Sequence, residues 1–255
     1  MTLGIKINGR HWGTLPSKHA IETKFEKEAD AMQTENRQNS LLANCSIITA
    51  TVKHHELVDK LLTSLKKQVG QMPPAIVILN NGKTIHQPKS EFENTVIIEV
   101  DNRESRLAKP MEDQNSHRHC ASLDYALKHL VKTKYAVLCD NDILFKPDVK
   151  SIFDATPDYD AMGHVCEDIR GHIRLEPYFC VLNIEKMKAD GISYYDGRRC
   201  WPKLDTGGSF LADVQEKKWR IHETRTDKYI VHLSGAELYN RNTVKWFNEN
   251  KSLWS

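Results

Sequence analysis

The sequence predicts an α/β protein built on a mixed, mainly parallel sheet flanked by helices. Three observations carry that prediction. Short unbroken apolar runs recur at Ser46–Val52 (SIITATV), Ala75–Leu79 (AIVIL), Thr95–Val100 (TVIIEV) and Tyr135–Cys139 (YAVLC). Helical stretches alternate with them, and strands covered on both faces read as continuous apolar runs. Polar residues gather where the runs end: Thr49 and Thr51, Asn80 and Asn81, Asp101 and Asn102, then Asp140 and Asp142. In open sheets of this kind, ligands bind outside the carboxyl ends of the strands.

Taken in order, Ile5 to Leu15 reads as a hairpin with Asn8-Gly9 as its turn. Residues 16–36 read as an amphipathic helix, with Ile21, Phe25, Ala29 and Met32 on one face. Residues 1–44 thus form an arm that packs on the body, mediates self-association or touches an acceptor. The first strand, Ser46–Val52, leads into a polar helix over His54–Gln68. Pro73-Pro74 punctuates before the second strand, and the third follows at Thr95–Val100. In the helix Ser116–Lys132, Cys120, Leu123, Leu127 and Leu130 recur at helical spacing. The fourth strand runs straight into Asp140-Asn141-Asp142. Beyond it, strands are expected at Ala161–Val165, Tyr178–Leu182, Trp219–His222 and Tyr229–Leu233, and helices at Ile184–Ala189, Thr206–Lys218 and Ala236–Asn248. The division is an arm (1–44), a main domain (45–235, halved at 142) and a C-terminal helix (236–255).

Charge and composition exclude several function classes. The 255 residues carry 36 Lys+Arg against 34 Asp+Glu, a formal charge of +2, and 40% are hydrophobic. That is an ordinary globular composition, without the strong positive balance of a dedicated nucleic-acid binder. No run approaches the ~20 apolar residues of a membrane helix, and the opening MTLGIKINGRHW lacks the apolar core of a secretion signal. The expected location is cytoplasmic. The six cysteines show no C-x₂₋₄-C spacing and read as reduced and structural. Neither a P-loop nor a dinucleotide-binding G-x-G-x-x-G occurs.

The chemistry concentrates at Asp140-Asn141-Asp142. Two carboxylates two residues apart at a strand end can converge on one hard divalent cation, Mg²⁺ or Mn²⁺, of the kind shared with substrate phosphates. A plain turn is the alternative, since Asp and Asn favour turns. His117-Arg118-His119 opens a helix where backbone N–H groups and Arg118 can meet phosphate, or simply face solvent.

SIITATVKHHELVDKLLTSLKKQ, AIVILNNG and SHRHCASLDYALKHLVKTKYAVLCDND together resemble the nucleotide-binding half of family 2-like glycosyltransferases of the GT-A fold. The resemblance covers roughly residues 45–235. It implies a Rossmann-like sheet and a D-x-D pair holding Mn²⁺ or Mg²⁺ against the diphosphate of a nucleotide sugar. KLDTGGSFLADVQEKKWRI resembles the segment carrying the catalytic base. Here Leu204-Asp205 replaces the family's Glu-Asp pair, so the role falls on Asp205, which as a residue before a helix is also a plausible N-cap. KYIVHLSG resembles the strand whose histidine completes the metal site, which places His232 beside Asp142, although a strand histidine can equally be a packing residue.

Thr49, Thr51, Asn80, Asp101, Arg118, Asp140 and Asn141 are the candidates for the nucleotide sugar; the resemblance implies base and ribose at Thr49, Asn80 and Asp101, with Asn80 where the family commonly has Asp. Glu167, Asp168, Trp201 and Gly207 are the candidates for the acceptor side, with loop solvation or core packing as the alternatives. It implies transfer of a sugar to an acceptor hydroxyl, a saccharide or glycolipid before a hydroxylated base in DNA, with inversion if Asp205 is the base. A nucleotidyltransferase is disfavoured because TATVKHH lacks the glycine-rich loop usual after the first strand. A non-catalytic nucleotide-sugar binder would need no base. Oligomeric state is not legible.

Overall fold

A computed structural model describes residues 5–7, 10–11, 40–51, 54–81, 95–101, 114–167, 171, 173–195, 207–233 and 242–255. The predicted helix over 16–36 lies outside them. Four parallel strands make the heart of the sheet: β3 (Cys45–Thr51), β4 (Ala75–Asn80), β5 (Val96–Asp101) and β6 (Tyr135–Asp140). Their order is β6-β3-β4-β5, in a register that sets Ala50 opposite Asp140, and Thr51 opposite Asn80, itself opposite Asp101. The polar strand ends therefore lie along one edge.

β1 (Ile5–Ile7) and β2 (Arg10–His11) pair antiparallel, Ile7 opposite Arg10, and the turn expected at Asn8-Gly9 lies outside the described residues. β1 runs antiparallel to β5, with Ile5 opposite Val100, so the arm's hairpin extends the sheet. On the other flank, β11 (Phe179–Asn183) pairs antiparallel with β6 and with β8 (Ala161–Gly163), and β12 (Ile221–Glu223) runs parallel to β8. Two small ribbons complete the strands. β9 (Val165–Glu167) pairs with β10 (Ile173–Leu175), and β7 (Ile143–Phe145) pairs with β13 (Ile230–His232).

The alternation of side chains along each strand divides the core. Ile48, Val77, Leu79, Ala136, Leu138 and Leu182 face one way. They pack against α2 (Gln114–Tyr125), α4 (Ile184–Ala189) and α5 (Gly208–Glu216). Ile47, Ile76, Ile78, Val137 and Val181 face the other way, onto α1 (His55–Val69) and α3 (Val149–Asp154). The apolar stripe of α1, with Val58, Leu61, Leu62, Leu65 and Val69 buried, follows the helical period. α2 continues through a π turn over Ala126–Leu130, in which Val131 N–H reaches Ala126 O at 3.0 Å. The C-terminal α6 (Thr243–Glu249) is capped by Asn242 and packs Trp246 and Phe247 with Leu57 and Leu144.

Expected elements are recovered within a residue or two for the parallel strands. Residues 161–167 form two short strands rather than one, and the helix expected over 236–248 is described only from Thr243. Among the described cysteines, Cys45, Cys120, Cys139 and Cys180 are buried and Cys166 is half-buried. Among the described residues no helix is long and apolar enough to cross a membrane.

Candidate metal and nucleotide-sugar site

Asp140 ends β6, and the chain turns through Asn141 and Asp142 into β7. Its turn is pinned twice: Asp140 N–H donates to Tyr178 O at 3.1 Å, and Leu233 N–H donates to Asp142 O at 2.9 Å. The ribbon register sets His232 opposite Ile143 and so brings a residue ninety positions away onto the aspartates. His232 Nε2 lies 3.1 Å from Asp142 Oδ1 and 3.9 Å from Asp140 Oδ2. One ligand atom from each of Asp140, Asp142 and His232 falls within 4.8 Å of the others. Asp142 is 4% exposed, whereas Asp140 is half-buried. The Tyr178 ring covers His232 at a centroid distance of 4.5 Å.

The electrostatics are those of a site short of positive charge. Desolvation pushes the Asp140 carboxyl up, and neighbouring Asp142 adds to this while His119 and His232 oppose it. For His232, burial alone favours the neutral ring. The hydrogen bond to Asp142 and the charges of Asp142 and Asp140 outweigh burial and raise its pKa. Two carboxylates and one imidazole converging in this way offer a donor set suited to a divalent cation.

Other predicted residues take varied positions. Thr49, Thr51 and Asn80 are buried in the strand ends rather than exposed on them. Thr49 Oγ1 has no hydrogen-bond partner among the described residues, Thr51 Oγ1 lies 3.5 Å from His55 Nδ1, and Asn80 Nδ2 donates to buried Glu99 Oε1 at 3.3 Å. Ser122 Oγ donates to Asn81 Oδ1 at 3.2 Å, tying α2 to the end of β4. Asn141 is buried between the two aspartates in sequence. Glu167 ends β9 and is exposed. Asp101 ends β5 and Arg118 lies in α2, both described in backbone only. Asp205, Trp201 and Asp168 lie outside the described residues.

Gly207 has a structural reason for being glycine. Its φ is +82°, and a Cβ there would stand 2.1 Å from Leu175 O. The start of α5 thus presses against the end of β10, the loop approach that the Gly207-Gly208 pair allows.

Sequence reasoning missed Glu176. Its Oε1 accepts from Cys166 Sγ at 2.7 Å, Arg174 Nη2 at 2.9 Å and Arg174 Nε at 3.2 Å. Its charge acts on both Asp140 and His232. Glu176 directly follows β10, and no spacing signal in the sequence marks it. His119, passed over in favour of its neighbour Arg118, lies with Nε2 at 3.9 Å from Asp140 Oδ1.

The architecture is the GT-A fold of nucleotide-sugar transferases. Its likeness extends over 79% of this chain and 81% of core-mannan synthase A from Aspergillus fumigatus, solved in a Mn/GDP form, with a TM-score of 0.52 and 9% identity. A mannosyltransferase from Pyrobaculum calidifontis, solved with GDP-Man and Mn²⁺, aligns over 81% of this chain at 12% identity and a TM-score of 0.43. The chain spans 65% of that enzyme's length. A Drosophila galactosyltransferase, solved with manganese, UDP-Gal and xylobiose, aligns over 84% of this chain and 80% of its own, at 10% identity and a TM-score of 0.47. No protein-family model and no curated protein sequence matches the chain.

Proposed function

We propose that the protein is a metal-dependent glycosyltransferase that moves a sugar from a nucleotide-diphosphate sugar to an acceptor hydroxyl. The convergence of Asp140, Asp142 and His232 at the carboxyl edge of the parallel strands carries this reading. Two carboxylates suit Mg²⁺ or Mn²⁺, and the imidazole nitrogen tips the choice toward Mn²⁺. A diphosphate brought to these carboxylates meets like charge unless a cation stands between them.

When bound, the cation supplies Lewis-acid stabilisation of the departing diphosphate. Buried Asp142 is the rigid anchor, and half-buried Asp140 turns its carboxylate to the donor side. Thr49, Thr51 and Asn80 form the floor of the nucleotide subsite, with Asp101, Arg118 and Asn141 around it. Asp205 takes the proton of the attacking acceptor hydroxyl, which gives inversion at the anomeric carbon. The acceptor is a saccharide or glycolipid, met by Glu167, Asp168 and Trp201.

The test is release of nucleoside diphosphate from a panel of nucleotide sugars, with Mn²⁺ and with chelator. One donor turns over in Mn²⁺, and turnover disappears in chelator and in Asp142→Ala. Asp205→Asn keeps donor binding and loses transfer by about 10²–10⁴-fold. Turnover persisting in chelator refutes the metal role, and near-wild-type transfer in Asp205→Asn removes Asp205 from the mechanism.

A further inference from the structure

We infer that His119 is a positioning residue for the metal site: it holds Asp140 so that one carboxylate oxygen remains turned toward the cation. The inference rests on the reading of Asp140, Asp142 and His232 as the cation ligands. The two oxygens of Asp140 face two different imidazoles. Oδ2 faces His232 Nε2 and Oδ1 faces His119 Nε2, each at 3.9 Å. Among the described residues, these are the side chains placed to donate to that carboxylate.

The two histidines are not equivalent. His232 Nε2 belongs with Asp142 Oδ1 and Asp140 within the compact ligand group, whereas His119 stands outside it. A His232 that gives Nε2 to a cation can no longer donate through that atom to Asp140. His119 is then the donor left for Oδ1.

At 3.9 Å the His119 contact is about 1 Å longer than a hydrogen bond, a gap that a small side-chain rotation closes. His119 is well placed to stay put. It is half-buried on α2, beside buried Cys120, and the same helix is tied to the end of β4 through Ser122 and Asn81. Asp140, by contrast, is the less buried of the two aspartates and has no side-chain hydrogen bond of normal length among the described residues. An outer donor is what such a ligand needs to be held in one orientation.

The test is titration of the whole chain with Mn²⁺ alone, followed by the electron paramagnetic resonance signal of free Mn²⁺, with thermal melting as a check on folding. His119→Ala should weaken Mn²⁺ binding by about 10- to 100-fold with an unchanged melting temperature. His119→Gln, whose amide N–H can occupy the place of Nε2, should recover most of the affinity. Wild-type affinity in His119→Ala, beside a loss in Asp142→Ala, overturns the role of His119 and leaves the ligand assignment standing. Equal losses in His119→Ala and His119→Gln also overturn it, because a restored donor then does nothing. Mn²⁺ binding undiminished in Asp142→Ala overturns the ligand assignment itself, and this inference with it.

Discussion

Replacing Gly207 by alanine should destabilise the protein through two separable effects, and a second glycine provides the control. Gly207 and Gly70 share nearly the same backbone, with φ of +82° and +83°. An alanine at Gly70 meets nothing within 4 Å, so it reports the left-handed backbone alone, about 1–2 kcal/mol. An alanine at Gly207 also places Cβ 2.1 Å from Leu175 O. Relieving that contact requires a movement of roughly 1 Å between β10 and the start of α5, an overpacking cost of about 1–3 kcal/mol. Gly207→Ala should therefore lose about 2–5 kcal/mol, and exceed Gly70→Ala by the overpacking part. With roughly 2–4 °C per kcal/mol for a chain of this size, the Gly207 variant should melt about 5–20 °C below wild type. Urea and thermal unfolding followed by circular dichroism measure both variants. Equal losses at the two positions would refute the close approach as the reason for glycine at 207. The same contact joins the ribbon bearing Glu176 to the segment just after Asp205, so activity should fall even below the melting temperature.

Four other outcomes are expected. Asp124→Ala should cost about 1–3 kcal/mol, because Asp124 Oδ1 accepts from buried Tyr194 N–H at 2.8 Å and that donor is left unpaired; the urea midpoint measures it, and Asp124→Asn should recover part. Manganese affinity should rise with pH through the raised pKa of His232, since a proton and the cation compete for Nε2, and a Kd independent of pH from about 5.5 to 8 would contradict the imidazole ligand. In the metal-free protein the sign reverses: the protonated ring paired with Asp142 contributes stability that is full below about pH 6.5 and lost as pH rises through its folded-state pKa. Saturating Mn²⁺ at about 100 times its Kd should stabilise wild type by about 2.7 kcal/mol in a thermal-shift measurement and leave Asp142→Ala unchanged.

The parallel heart of the sheet was legible because β3 to β6 are buried on both faces, which writes them as unbroken apolar runs. The short ribbons were not. β7 (ILF) and β10 (IRL) are three residues each, too few for a period to show, yet β7 is the strand on which β13 sets His232 against the aspartates. Asp140 and Asp142 stood out because they are neighbours in the chain at a strand end. His232 depends on the β7–β13 register, a pairing across ninety residues that local pattern does not encode; family resemblance alone singled it out. Thr49 and Asn80 were placed correctly at strand ends, but their burial follows from the helix α1 packed on that face and from the partner Glu99 on β5. His119 was visible in the His117-Arg118-His119 run, but its approach to Asp140 comes from the tertiary placement of α2, which local pattern does not encode.

If Asp140, Asp142 and His232 form the proposed cation site, binding of a nucleoside diphosphate depends on the metal. Isothermal calorimetry of a nucleoside diphosphate against the chain, with Mn²⁺ and with chelator, tests it most directly. One nucleotide should bind per chain in Mn²⁺, and none in chelator or in Asp142→Ala. Binding of equal strength with and without the metal, or unchanged in Asp142→Ala, would contradict it.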